Sequence, residues 1–222
     1  MSLVVLKVGG GVAATAVRAA EELVFQEHKV VLVHGAGLQI TAELERRRLP
    51  VRFVRGRRVT DAAALEVVRE GLAAVNAQLC AALGPLAVPL PDGVLDATLV
   101  PELGFVGDPV PSAPPVVLAA LAAGRIPVVA PLAGGLNVNG DEAAVALALG
   151  LGADRIVFVT DVPGVLVDGT VAPRLDAAEA ERLAAGFEGG IVPKLLAAAR
   201  AARGGVAAEI GATSVVLGPV AT

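Results

Sequence analysis

Lysine is the rare cation in this chain. Of 18 lysines and arginines, only Lys7, Lys29 and Lys194 are lysine. Where arginine is the default, a lysine kept beside a glycine-rich turn points to a need for a compact point charge. Lys7 ends the apolar run from Ser2 to Val8 and leads into Gly9, Gly10 and Gly11; Lys194 follows Gly189 and Gly190. A cation on the last residues of a buried strand is costly unless an anion sits beside it. Lys194, after Pro193 at what reads as the first position of a helix, opposes the helix dipole at about 0.3–1 kcal/mol and becomes favourable if it faces a phosphate. Lys29, between His28 and a strand, reads as an ordinary exposed residue. A second glycine turn, Gly35-Ala36-Gly37, follows His34. Glycines let backbone N–H groups approach a phosphate, and helix N-termini favour negative charge, although tight β–α packing turns use glycine too.

A third polar knot lies between a strand at Ile126 to Ala130 and an Ala/Leu/Val-rich helix from Glu142 onward. It holds Asn137, Asn139 and Asp141 after a Pro131/Gly134/Gly135 turn. Open α/β sheets place ligands between the carboxyl end of a strand and the start of a helix. One such residue would suffice as an N-cap, so each of the three is open to a capping role or a site role. Asn137 and Asn139 alternate on an extended segment and would point the same way.

Other phosphate chemistries fit poorly. No G-x-x-x-x-G-K-[ST] is present, which excludes the usual P-loop. Gly9-x-Gly11-x-x-Ala14 loosely matches the dinucleotide fingerprint. A lysine just ahead of the glycines is out of place there, and the second strand ends in His34 rather than an acid for the ribose. Cys80 is the single cysteine, and no Ser/His/Asp or Cys/His constellation stands out.

The elements that must position these groups read as repeated strand, glycines and helix, a parallel βαβ signature. Helices are expected at 12–27, 38–48, 61–83 with Asp61 as cap, 115–123, 176–185 and 193–203. A strand pair is expected around Gly56, a hairpin turn at Pro91-Asp92-Gly93 and a small hairpin over 165–172. The 222 residues, 55% hydrophobic and 18% charged, support a large core. The expected fold is one α/β/α three-layer sandwich around a mostly parallel sheet, with lobes at about 1–130 and 131–222. A net charge of −4, five Phe and no Trp or Tyr argue against nucleic acid. Gly, Pro or a charge interrupts every apolar run before a membrane span accumulates, and no secretory n-region opens the chain, so a cytoplasmic protein is expected.

In order, the text reads Leu6-Lys7-Val8-Gly9-Gly10, Val33-His34-Gly35-Ala36-Gly37 with Gln39-Ile40, Gly56-Arg57-Arg58-Val59-Thr60-Asp61 and Val75-Asn76. Then follow Leu103-Gly104-Phe105-Val106-Gly107, Asn137-Val138-Asn139-Gly140-Asp141, Thr160-Asp161-Val162-Pro163-Gly164-Val165-Leu166 and Gly189-Gly190-Ile191-Val192-Pro193-Lys194. This succession, over nearly the whole chain, resembles the amino acid kinase family, with its carbamate kinase-like fold. The likeness is greatest to members that phosphorylate the γ-carboxylate of N-acetyl-L-glutamate with ATP and Mg²⁺ in arginine biosynthesis. The resemblance implies that Lys7 and Lys194 neutralise the transferring phosphoryl group and that Asp141 holds those lysines, which leaves Asn139 as the residue read as a cap. Gly9, Gly10, Gly35, Ala36 and Gly37 would offer backbone donors. Arg58 and Asn137 would bind the acceptor's carboxylate and acetamido end, with Thr160, Asp161 and Gly164 on the nucleotide side. No metal-ligating residue is implied.

Ala36 stands where the family has a middle glycine, Leu86–Leu95 is shorter than usual, and the tail after Gly205 is shortened. The resemblance also implies a homodimer built on the helix Asp61–Leu83, with the first 130 residues as acceptor and dimer lobe and the rest as nucleotide lobe. Two other readings stay open. The arginine run from Arg46 to Arg57 would suit a relative whose aminoadipate or glutamate substrate rides on an acidic carrier protein. A sensor on the same fold would bind nucleotide or amino acid without turnover.

Overall fold

The computed structural model describes residues 2–9, 13–160, 162–187 and 189–218. The chain opens with β1 (Leu3–Val8), α1 (Ala13–Phe25), β2 (Lys29–His34), α2 (Gly37–Arg46), β3 (Phe53–Val54), β4 (Arg57–Arg58) and α3 (Ala62–Leu83). Next come β5 (Ala87–Leu90), β6 (Asp96–Leu99), β7 (Val106–Val110), α4 (Pro115–Ala122), β8 (Ile126–Val129), β9 (Leu132–Ala133), β10 (Leu136–Val138) and α5 (Gly140–Leu151). The rest is β11 (Arg155–Val159), β12 (Leu166–Val167), β13 (Thr170–Val171), β14 (Arg174–Asp176), α6 (Ala177–Gly186), α7 (Ile191–Arg203), β15 (Ala207–Ile210) and β16 (Thr213–Val216).

An eight-stranded sheet in the order β14-β16-β15-β11-β1-β2-β8-β5 runs through both halves of the chain. From β15 to β5 every pairing is parallel. The inner strands are apolar on both faces, as strands sandwiched between helices must be. Alternate residues therefore feed two cores. Val4, Leu6, Val8, Val30 and Leu32 pack with buried side chains of α1, α2 and α3. Val5, Val31 and Val33 pack with those of α4, α5, α6 and α7. This is the expected three-layer arrangement.

The sheet order reverses direction at β1, which has β2 on one side and β11 on the other. Such a switch point opens a crevice beyond the carboxyl ends of the strands. A smaller sheet, β6-β7-β10-β9, lies beside that rim, as does the hairpin β3–β4. The hairpin turns on Arg55 and Gly56, both at positive φ (48° and 79°), which matches a two-residue primed turn.

Two expectations need correction. Pro91-Asp92-Gly93 is not a hairpin turn, because β5 pairs with β8 in the large sheet while β6 pairs with β7 in the small one. Helix α7 begins at Ile191 with Gly190 as its cap, so Pro193 sits two residues further in than its N1 reading. That position still falls among the first N–H groups that lack a helical partner, so the proline costs no hydrogen bond. Among the described residues, no helix is long and apolar enough to cross a membrane.

Candidate active site

A cavity of about 480 Å³ opens at the carboxyl ends of β1 and β2, walled by the starts of α2 and α5, the β3–β4 hairpin, β10 and Lys194. It gathers Lys7, Gly9, Gly35, Ala36, Gly37, Arg58, Asn137, Asp141 and Lys194, so most of the residues expected from the sequence meet in one place.

Lys7 shares the parity of Val5, which packs into the core containing α5, and so points to the α5 face of the sheet. There its Nζ lies 2.8 Å from Asp141 Oδ1, with the residues 8% and 5% exposed. A pair this deep contributes little net stability, because desolvation offsets the attraction, but removing one partner strands the other charge. Asn139 is the helix cap, as expected. Its Oδ1 accepts the N–H groups of Asp141 and Glu142 at 2.9 and 3.2 Å, and its Nδ2 donates to the Gly56 carbonyl at 3.1 Å. With the helix capped by Asn139, the Asp141 carboxylate is released to meet Lys7.

The glycines carry a second message. Gly9, Gly35 and Gly37 do not adopt positive φ, and a Cβ added at Gly9 or Gly37 would meet no atom within 4 Å. Neither backbone conformation nor packing against the described residues calls for glycine there, so the missing side chains leave room inside the cavity. Ala36, the N-cap of α2, has φ −134° and ψ 31° and makes no side-chain cap. Alanine tolerates that conformation, so losing the family's middle glycine imposes no strain. Gly35 does less than expected as a donor, since its N–H is taken by the Val8 carbonyl at 2.9 Å.

Arg58 is 7% exposed. Its Nη2 donates to Thr41 Oγ1 at 2.7 Å and to the Gly37 carbonyl at 3.3 Å, and its guanidinium lies 4.5 Å from the Phe53 ring centroid. Its Nη1 is buried with no hydrogen-bond partner among the described residues. Burial depresses its pKa, and among the described residues no carboxylate is paired with it to offset that. Asn137 donates to Thr60 Oγ1 at 3.0 Å, and Thr60 donates to the Arg58 carbonyl at 2.8 Å, which ties β10 to the end of β4. Lys194 is half-buried and donates to the Gly190 carbonyl at 3.3 Å.

His34 is fully buried, and its Nε2 lies 3.0 Å from Asn76 Nδ2, a group that also donates to the Val128 carbonyl. Burial lowers its pKa to about 4. It is therefore neutral at pH 7 and serves as a structural acceptor for Asn76.

Thr160 and Gly164 do not line the cavity. Gly164 has a packing reason to be glycine: a Cβ would stand 2.7 Å from Val171 and 2.8 Å from Thr213 Oγ1. Gly10 and Asp161, expected at the nucleotide, lie outside the described residues. Sequence reasoning missed Thr41 and Phe53 as supports of Arg58. The signal for Phe53 was present, since a hairpin turning on Arg55-Gly56 sets it opposite Arg58. Thr41 carries no comparable mark, because only the packing of α2 beside the hairpin brings it near.

A parallel-sheet frame that collects two lysines, a buried arginine and an uncapped helix start at one rim defines a protein that handles phosphate and carboxylate groups. The chain belongs to the amino acid kinase family, whose profile matches residues 2–211. It is 43% identical over 224 residues to the acetylglutamate kinase of Rubrobacter xylanophilus, covering 95% of this chain and 88% of that one. Further relatives of that name are 37–41% identical, and this chain spans 59–81% of their lengths. Among solved structures, N-acetylglutamate synthase from Neisseria gonorrhoeae, complexed with coenzyme A and N-acetyl-glutamate, is similar with a TM-score of 0.84 at 25% identity. That match covers 99% of this chain and 60% of the synthase. Carbamate kinase from Giardia lamblia bound to AMP-PNP, at 16% identity and a TM-score of 0.70, covers 98% of this chain and 99% of that one, and shares the fold.

Proposed function

We propose that the protein transfers the terminal phosphoryl group of ATP to the γ-carboxylate of N-acetyl-L-glutamate, the activity in the name of its relatives. The observation that carries this reading is Arg58: a buried guanidinium with an unbonded nitrogen and no carboxylate partner, facing the same cavity as the Lys7–Asp141 pair. It calls for an acid in the ligand, next to cations that suit a phosphate.

The chemistry needs no general base. A side-chain carboxyl with a free pKa of about 4.3 is already ionised at neutral pH. Its oxygen attacks the terminal phosphorus, the new O–P bond forms as the bond to the leaving ADP breaks, and no proton moves. The barrier lies in bringing two anions together, which positioning and charge neutralisation lower. Lys7, oriented by Asp141, and Lys194 supply positive charge at the phosphoryl group. The first turn of α2 and the space left by Gly9 and Gly37 receive the phosphates. Asn137 holds the acetamido end. The base and ribose lie beyond the carboxyl end of β11, beside Thr160 and the loop at 162–165.

Magnesium would arrive with the nucleotide and add charge at its phosphates. Asp141 is engaged by Lys7, and among the described residues no group of three His, Cys, Asp or Glu able to hold a metal gathers. No step is assigned to the ion.

The carrier-linked reading loses support at the arginine run. Arg46 and Arg47 are paired with Glu43, Arg47 also with Glu70, and Arg57 with Asp108 and Glu142. Much of the basic docking face is thereby neutralised within the chain. The sensor reading is disfavoured by the intact Lys7–Asp141 pair. As part of the same proposal, the enzyme is cytoplasmic, and two copies pair through α3, whose outer face presents Ala73, Ala74, Ala77 and Ala81 to solvent. The deciding assay supplies ATP, Mg²⁺ and N-acetylglutamate with hydroxylamine to trap the acyl phosphate as a hydroxamate. Hydroxamate with free N-acetylglutamate is expected; hydroxamate with a carrier-linked acid alone would replace this reading.

A further inference from the structure

Four charged side chains from four elements meet at the outer edge of the acceptor wall. Arg57 on β4 donates to Asp108 on β7 at 2.7 Å and to Glu142 on α5 at 3.0 Å, and Arg200 on α7 stands 4.0 Å from Asp108. Three of them adjoin the site through their own elements. Arg57 precedes Arg58, Glu142 follows Asp141, and Arg200 rides on the helix that carries Lys194.

The hairpin that holds Arg58 has only two residues in each strand, and two-stranded hairpins of this size do not hold themselves. Its shape must come from its neighbours. At the tip, Asn139 binds the Gly56 carbonyl, and Gly56 packs on α7, where an added Cβ would lie 3.6 Å from Pro193 Cβ. Just behind the tip, where it pairs with Val54, the anchor is Arg57. Burial works against its charge, but Glu142 and Asp108 outweigh that and hold the guanidinium above its ordinary range. Burial raises the pKa of Glu142, and Arg57 offsets only part of the rise. Each of the two charges therefore depends on the other.

We propose that Arg57 is a positioning residue. With Glu142 and Asp108 it fixes the β3–β4 hairpin to α5 and β7, and so sets Arg58 and Phe53 relative to the Lys7–Asp141 pair. The kinetic consequence rests on the carboxylate-phosphorylation reading above, in which the acceptor held by Arg58 must line up with the phosphoryl group held by the lysines. A misplacement of about 1 Å at such a distance costs on the order of a hundred-fold in rate. A half-exposed ion pair kept for stability alone would have no such effect.

The test compares the parent protein with Arg57→Leu, Arg57→Lys and the near-isosteric Glu142→Gln, the last guarding against a fold defect in the first. N-acetylglutamate and ATP are varied separately, and amide hydrogen exchange is followed over residues 53–58. Arg57→Leu is expected to raise the KM for the acceptor about ten-fold and lower kcat about ten- to a hundred-fold, with the KM for ATP within about two-fold. Arg57→Lys should recover part of the loss. Glu142→Gln should fall between, and its effect should largely vanish on top of Arg57→Leu, as expected for partners in one network. Hairpin amides should exchange faster in Arg57→Leu. Acceptor KM, kcat and hairpin exchange all matching the parent would overturn the proposal. If the parent shows no turnover, the functional reading fails by itself, and exchange still decides: faster hairpin exchange upholds the anchor, unchanged exchange removes it.

Discussion

Lys7 and Asp141 illustrate how one residue's meaning depends on another's. Both are nearly buried and held at 2.8 Å, a geometry too costly to keep for stability alone. In the proposed reaction they present one fixed positive charge at the rim of the sheet. In the proposed reaction Lys194 supplies a second charge from a more exposed place, on a helix that begins two residues earlier than its sequence suggests. Lys29, the remaining lysine, starts β2 at the opposite end of that strand from His34 and the cavity. Lys7→Ala and Lys194→Ala are each expected to lower kcat by about a hundred-fold or more, the scale of losing one transition-state donor, with Lys29→Ala within about two-fold of the parent. Steady-state kinetics on the three variants check this. Equal losses in all three would mean that the distribution of lysines carries no functional information.

At the scale of elements, α5 and β2 carry opposite lessons about local rules. Gly150 lies inside α5, where exchange for alanine should gain about 1 kcal/mol by helix propensity. A Cβ there would overlap the backbone of Ser112 in the segment before α4. Overpacking against backbone outweighs propensity, so Gly150→Ala is expected to destabilise by about 1–3 kcal/mol in urea unfolding. A gain in stability would show that the segment at 111–114 yields freely. His34, the last residue of β2, makes stability depend on pH. Its folded pKa of about 4 lies below the unfolded value of 6.5, so between those values the unfolded chain binds more protons. The contribution is complete above pH 6.5 and is lost as pH falls towards 4, a drop of about 3 kcal/mol. Urea titrations at pH 7.5 and 4.5 should show a smaller difference in His34→Gln than in the parent. An identical difference would place the acid sensitivity elsewhere.

At the scale of the whole molecule, one sheet joins the two halves of the chain through the β1–β11 pairing, while α3 covers the other core and leaves its alanines outside. A helix face of small residues lets a second helix approach closely, and a two-fold pairing of such faces is self-complementary. Sedimentation equilibrium is expected to give twice the 22.1 kDa chain mass for the parent, and a shift to the single-chain mass for Ala77→Glu. A parent that sediments as a single chain would rule out the α3 pairing.

The sequence by itself determined the frame. Continuous apolar strands, glycine turns and amphipathic helices are local and periodic signals, and they specified a three-layer sandwich and its ligand-bearing rim. The isolated lysines marked two of the charges, and the knot from Asn137 to Asp141, weighed against those lysines, left Asn139 as the cap. Tertiary structure supplied the contact itself, Asp141 meeting Lys7 from a strand 134 positions away (141 − 7). The same holds for Thr41 beside Arg58, for Gly150 against Ser112, and for the anchoring of Arg57. Each is a contact between elements distant in sequence, and no local propensity encodes the distance between two surfaces that meet only when the sheet is complete.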